Sequence, residues 1–167
     1  VAIVREPWVI KHSVVGLRGN GCNIFTGVVG SQEKPRTCIV TKGITAVGLP
    51  QFGSADQTAV KISYRKAGKN CECVVASSYL HITDKSVPTT GLERLTRDCK
   101  KSQLPLIIGC DSNAHHEYWG SSDTNQRGVQ VLEFLFSSEM EILDTGNTPT
   151  FVTGRCRSVI DLTLVNQ

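Results

Sequence analysis

The chain contains no apolar run approaching the roughly 20 residues that a membrane-spanning helix needs, so a membrane is not among its expected partners. No initiator Met opens it, and no basic stretch followed by an apolar segment marks a secretory signal. We read Val1-Ala2-Ile3-Val4 as the start of an excerpt from a longer polypeptide that is intracellular and not secreted. No Cys-x-x-Cys pair and no Cys/His spacing of the zinc-binding kind occurs. The seven cysteines are scattered and odd in number, which points to free thiols in a reducing compartment. Gly16, Gly19 and Gly21 punctuate a loop that carries Lys11 and Arg18, but no Lys-Ser/Thr ending follows, so the loop is a turn and not a nucleotide cradle. Internal repeats, heptads and low-complexity tracts are missing as well.

What remains is the composition of an ordinary globular protein: 167 residues, 40% hydrophobic and 20% charged. That length supports one domain, residues 1–167, with a substantial core. The net charge of +3 conceals an asymmetry, because residues 1–80 hold ten Lys or Arg against four acids and residues 81–167 hold eight against eleven. A basic first half beside an acidic second half suits a protein that touches phosphates with one part and gathers carboxylates in another, and solvated surface charge accounts for it too.

Periodicity predicts strands over Val1 to Val4, then NIFTGVV, RTCIVTK, ITAVGL and QTAVKISY, separated by Gly, Pro, Asp and Ser clusters. In TAVKISY, Ala59, Lys61 and Ser63 share one face and Val60, Ile62 and Tyr64 the other. The turn RKAGKN predicts antiparallel pairing with CECVVASSYL, which ends near Tyr79. Leu92, Leu95 and Cys99 fall at helical spacing, with Glu93 and Arg97 as an outer i,i+4 pair. A second helix is predicted from about Gln126 to Ser138, with Val129, Leu132, Leu135 and Phe136 as its apolar stripe and Asp123, Thr124 or Asn125 as its cap. Strands EILD, TFV and SVIDLTLV follow, the last with Asp161 in its middle. Strands early and an alternation of strands and helices later predict an α/β (α+β) fold of two packed mixed β-sheets flanked by helices.

The chemistry concentrates in LPLIIGCDSNAHHEYWG, Leu104 to Gly120, where an apolar strand ends in a polar turn. Asp111 and Asn113 are two apart, so extended geometry would aim a carboxylate and an amide at one point. Such a pair can steer a proton from water and hydrogen-bond an oxygen that gains charge, as phosphate hydrolysis requires. The same residues also read as an ordinary turn or helix N-cap. Glu6 before Pro7, Tyr79 at a strand end and Asp161 add polar groups at other strand positions.

In their order, REPW, SSYL, IIGCDSNAH, TPTF and VIDLTL resemble the endonuclease/exonuclease/phosphatase superfamily of DNase I and the apurinic endonucleases. Within it the chain is most similar to the endonuclease domain of jockey-like non-LTR retrotransposons, and HHEYWGSSDTN with the following Gln126-Arg127-Gly128 adds to the likeness. The resemblance covers nearly the whole chain and implies a four-layer DNase I-like sandwich. It also implies a DNA endonuclease dependent on Mg2+, or alternatively Mn2+, that nicks double-stranded target DNA and leaves a 3′ hydroxyl for reverse transcription. A reverse transcriptase domain in the same polyprotein is the implied partner, and the nucleus the implied place of action. By the same resemblance Glu6 is the metal ligand, Asp111 positions or deprotonates the attacking water, and Asn113 stabilises the pentacovalent phosphate. Tyr79 contacts phosphate, Asp161 orients the catalytic histidine, and Thr150 and Phe151 face the DNA.

The family's N-terminal Asn-bearing strand and its C-terminal Ser-Asp-His are not in this sequence, so the chain as it stands is expected to be weak or inactive, with unpaired sheet edges. His115 and His116 are assigned a DNA-facing or structural role and are not recruited as the general acid/base. Two alternatives stay open: a phosphatase of the same superfamily, and a non-catalytic DNA-binding remnant. The oligomeric state is also left open.

Overall fold

The computed structural model describes residues 1–28, 33–84, 86–144, 146–154 and 156–166. Strands β1 (Ala2–Arg5), β2 (Val9–Ile10), β3 (Ser13–Val14), β4 (Cys22–Phe25), β5 (Thr37–Lys42), β6 (Thr45–Gly48), β7 (Gln57–Lys66) and β8 (Lys69–Tyr79) occupy the first half. Helix α1 (Thr90–Lys101), β9 (Leu106–Asp111), α2 (Gln126–Ser138), β10 (Met140–Ile142), β11 (Phe151–Val152), β12 (Arg157–Ser158) and β13 (Asp161–Asn166) follow. A six-stranded sheet runs β10-β13-β9-β8-β7-β6 and a three-stranded sheet runs β1-β5-β4. The β7–β8 hairpin is antiparallel, as its turn chemistry predicts, whereas β8 and β9 are parallel and joined through α1.

The period-2 pattern divides the core. Ala59, Val74, Ala76, Leu106, Ile108, Cys110, Leu162 and Leu164 turn one face of the large sheet toward Leu92, Leu95 and Cys99 of α1 and Val131, Phe134 and Leu135 of α2. The intervening Val60, Ile62 and Val75 turn the other face toward Ile39, Ile3 and Phe25 of the small sheet. Both helices thus lie on one side of the large sheet and the second sheet on the other. Thr89 caps α1 by accepting from Leu92 N, and of the three candidates Asn125 caps α2, accepting from Gly128 N at 2.8 Å.

Three sequence expectations are corrected. The stripe of α2 is rotated: Val131, Phe134 and Leu135 are buried, while Phe136 is 64% exposed and leans on Tyr118. The cause is Gly128, where an added Cβ would stand 1.9 Å from His115 O, so the helix packs by its backbone on the loop below. Glu93 and Arg97 form no ion pair among the described residues; Arg94, next to Glu93, sits over Phe52. Asp161 begins β13 instead of lying mid-strand, because Arg157–Ser158 pairs with Phe151–Val152 as a separate hairpin and Val159 and Ile160 bridge the two elements.

Candidate functional site

Strand register assembles the site. Tyr79 pairs with Asp111 across the parallel β8–β9 ladder, and Asp111 pairs with Asp161 across β9–β13. Paired residues on adjacent strands point to the same face of a sheet. Cys110 and Leu162 are buried against the helices, so Asp111 and Asp161, one residue along, face the small sheet. Three neighbouring strand ends therefore present a phenol and two carboxylates at the rim between the sheets.

Strand β1 lies across the same rim. Gly109 makes this possible, since an added Cβ would meet Ile3 Cγ2 at 2.8 Å and Arg5 Nη1 at 2.9 Å. Arg5 Nη2 stands 2.9 Å from Asp161 Oδ1, an ion pair with both side chains about three-quarters buried. Glu6 follows in the left-handed region at φ 49 and donates its N–H to Arg36 O at 2.7 Å. Its side chain is exposed, and its charge reaches both Asp111 and Tyr79.

Asn113 does not continue the strand. It adopts φ 46, its N–H donates to Asp111 Oδ1 at 3.2 Å, and its side-chain Nδ2 donates to Leu80 O at 3.1 Å. The chain departs from extended geometry because Ser112 is tied down, its N–H and Oγ both donating to Ile160 O at 2.9 and 2.8 Å. Asn tolerates the left-handed region better than most residues, whereas Glu6 occupies it at a cost. The Asn113 side chain nonetheless lies close enough to Tyr79 to oppose the rise in the pKa of its phenol.

The electrostatics follow from this crowding. Burial first, then the Asp161 charge, pushes the Asp111 carboxyl from 3.8 up to about 6, with Glu6 adding to the rise and the Asn113 N–H and Arg5 opposing it. Tyr79 is also raised, by burial and by Glu6, with Asn113 acting in the other direction. Arg36 forms a paired fork with Asp56 and lies 6.0 Å from the centre of the Tyr79 ring.

The structure thus brings Glu6, Tyr79, Asp111, Asn113 and Asp161 to one rim. Thr150 joins them from the side: its Oγ1 accepts from Ile160 N at 3.1 Å and Asp161 N at 3.0 Å, fastening the β11–β12 hairpin to the start of β13. Phe151 then projects with 45% exposure. His115 is engaged by Asp123, with Nδ1 2.9 Å from Asp123 Oδ1, and His116 accepts from Tyr118 N and packs on Trp119.

Sequence reasoning missed Arg127. Its guanidinium donates to Leu80 O (2.8 Å), His81 O (3.0 Å), Ser112 O (3.0 Å) and Asp84 O (3.2 Å), so one side chain ties the loop after Tyr79 to the turn after Asp111. The only signal was its place in Gln126-Arg127-Gly128, because carbonyl partners leave no side-chain pattern in a sequence.

Among the described residues no group of three or more Asp, Glu, His or Cys side chains is arranged as a metal cage. That donor set still suits magnesium, which uses one or two carboxylates and completes its shell with water and phosphate oxygens. Burial is the main cause of the rise at Asp111, and the lesser part, repulsion from Asp161 and Glu6, is the charge imbalance a divalent cation at this rim would relieve.

A family model described as endonuclease-reverse transcriptase matches residues 73–167, more than half of the chain. The endonuclease domain of TRAS1, a telomere-specific non-LTR retrotransposon, is similar in structure, with a TM-score of 0.77 and 25% identity over 99% of this chain and 72% of that one. The human Nocturnin catalytic domain shares the fold, with a TM-score of 0.51 at 13% identity, covering 89% of this chain and 62% of that one. A probable RNA-directed DNA polymerase from transposon X-element of Drosophila melanogaster is 36% identical over 55 residues, which are 33% of this chain and 6% of the relative. No helix among the described residues is long and apolar enough to cross a membrane. With its DNase I-like architecture and a family match that spans β13, β9 and most of β8, the chain belongs to the endonuclease-reverse transcriptase family.

Proposed function

We propose that this domain is a divalent-metal-dependent endonuclease that hydrolyses one phosphodiester of double-stranded DNA and leaves a 3′ hydroxyl to prime a reverse transcriptase in the same polypeptide. The observation that carries this reading is the meeting of Glu6, Tyr79, Asp111, Asn113 and Asp161, from four strand ends and one turn, at a single rim. Glu6 would hold the metal, Mg2+ by its donor chemistry with Mn2+ as a substitute, together with water and phosphate oxygens. When bound, such an ion supplies Lewis-acid polarisation of the phosphate and neutralises charge there.

The residues supply the rest. Asp111, buried at this rim and ionised at neutral pH, can take the proton of the attacking water, while the departing 3′ oxygen takes its proton from solvent. Asn113, whose amide keeps a second N–H beside the one given to Leu80 O, and Tyr79 with its O–H offer donors to the phosphate oxygens as charge accumulates. Asp161, held by Arg5, keeps a fixed carboxylate beside Asp111. Thr150 and Phe151 on one flank, and His115 on the loop below, are the proposed DNA contacts.

Phosphatase chemistry on a multiply charged headgroup is disfavoured by the occupation of the arginines around this row. Arg5 is paired with Asp161, Arg36 with Asp56, and Arg127 is spent on four carbonyls. With the family's Asn-bearing first strand and C-terminal Ser-Asp-His restored to the chain, a supercoiled plasmid should be nicked in Mg2+ and spared in EDTA, and the nick should be extendable by a polymerase. Asp111→Ala should lose nicking by about 10²- to 10⁴-fold. Equal nicking by wild type and Asp111→Ala would remove the mechanism.

A further inference from the structure

Trp8 stands two residues beyond Glu6 and is 74% exposed, more than any other large hydrophobic residue noted among the described ones. Its backbone is nevertheless fixed. Pro7 before it is buried, and Trp8 O accepts from Val15 N at 2.9 Å, closing the β2–β3 hairpin. That hairpin pairs Val9 with Val14 and Ile10 with Ser13, and turns through Lys11 (φ 47) and His12 (φ 63), the two-residue left-handed turn that matches strand twist. Val14 is 5% exposed and Val9 half-buried, so these two hold the ribbon to the body. Trp8 and Ile10, two apart, take the opposite face, and Ile10 is 50% exposed.

A ribbon with an apolar anchor and a second apolar face in water is built to be covered. A protein partner needs about 800 Å² per side for a standard interface, and Trp8 with Ile10 offers far less, flanked at once by Lys11 and His12. Nucleic acid fits better. Apart from Arg5, which Asp161 holds, residues 1–28 carry Lys11 and Arg18 against the single acid Glu6, and an aromatic face among cations is the means by which proteins hold sugars and bases beside a phosphate backbone. Trp8 is also only two residues from Glu6, at most about 7 Å of backbone.

We infer that Trp8 is a DNA-contact residue of this site, stacking its ring on a deoxyribose of the nucleotide that flanks the scissile phosphate. The inference rests on the nuclease reading and adds a second aromatic to Phe151. The test uses the intact chain in EDTA with a fluorescein-labelled DNA duplex, so that binding is measured without cleavage. Anisotropy reports binding, and tryptophan emission reports Trp8, because the second tryptophan, Trp119, is only 4% exposed. Emission should be quenched in parallel with binding. Trp8→Phe should keep affinity within about threefold and lose the quench, and Trp8→Ala should weaken affinity about 5- to 100-fold at unchanged circular dichroism, as expected for one lost stacking contact. Binding with no quench and with wild-type affinity in Trp8→Ala overturns the Trp8 assignment and leaves the nuclease reading standing. Absence of duplex binding overturns both. Concentration-dependent dimerisation that Trp8→Ala abolishes makes the ribbon a self-association surface and also overturns the assignment.

Discussion

Replacing Asp111 by Asn should make the protein more stable at neutral pH while it destroys the activity. The carboxyl titrates near 6 in the fold against an ordinary 3.8, so between these values the folded chain binds more protons than the unfolded one. Stability on this account is lost as pH rises through that window: the penalty is absent below about 3.8 and complete above about 6. At 1.36 kcal/mol per pH unit the full penalty would be about 3 kcal/mol, and because the group is partly exposed and screened we expect ~1–2 kcal/mol. Asn keeps the oxygen that accepts from the Asn113 N–H, so the turn should survive. It removes the charge that faces Asp161 and Glu6, while Arg5 stays paired to Asp161. Urea denaturation followed by circular dichroism at several pH values between about 4 and 7 measures this. The difference between mutant and wild type cancels the other carboxylates, and should be near zero at the acid end and grow to ~1–2 kcal/mol in favour of the mutant by pH 7. Parallel pH curves, or a mutant less stable than wild type at neutral pH, would refute the account of a carboxyl raised by burial and by its acidic neighbours at this rim.

Other perturbations probe the elements that hold the site together. Arg127→Lys keeps a positive charge but cannot reach four carbonyls, so we expect a loss of about 2–4 kcal/mol by urea denaturation together with reduced nicking. Gly109→Ala places a methyl against Ile3 and Arg5, which should cost about 1–3 kcal/mol and reduce nicking by shifting Glu6, whereas the same change at the open turn residue Gly154 should leave nicking unchanged. Duplex binding measured by anisotropy should weaken steeply with salt, since phosphate contacts from the basic first half release counterions; a flat response would contradict that half as the DNA face.

Much of this was legible from one dimension, and the residues show why. The strands of the β7–β8 hairpin alternate so regularly that Ala59 and Val60 could be assigned to opposite faces, and they lie in separate cores. Helix α2 was bounded at Gln126 and Ser138 by its cap and its apolar period, yet its buried face was misjudged because Gly128, not an apolar side chain, sets the contact. Asp111 was visible as the end of a buried strand. The geometry of Asn113 was not, since its left-handed turn depends on Ser112 bonding to Ile160, 48 residues away. Arg5 escaped for the same reason: its partner Asp161 lies at the far end of the chain. Motif order located the residues of the rim, whereas long-range hydrogen bonds and one glycine decide how they face one another.

The most direct test of the claim that Glu6 and Asp111 serve one centre is a double-mutant cycle on plasmid nicking in Mg2+. Glu6→Gln and Asp111→Asn should each cause a large loss, and the double variant should be little worse than the weaker single one, because residues that act as a unit are not additive. Losses that multiply in the double variant would mean that the two carboxylates act independently, and would contradict the single rim on which the account is built.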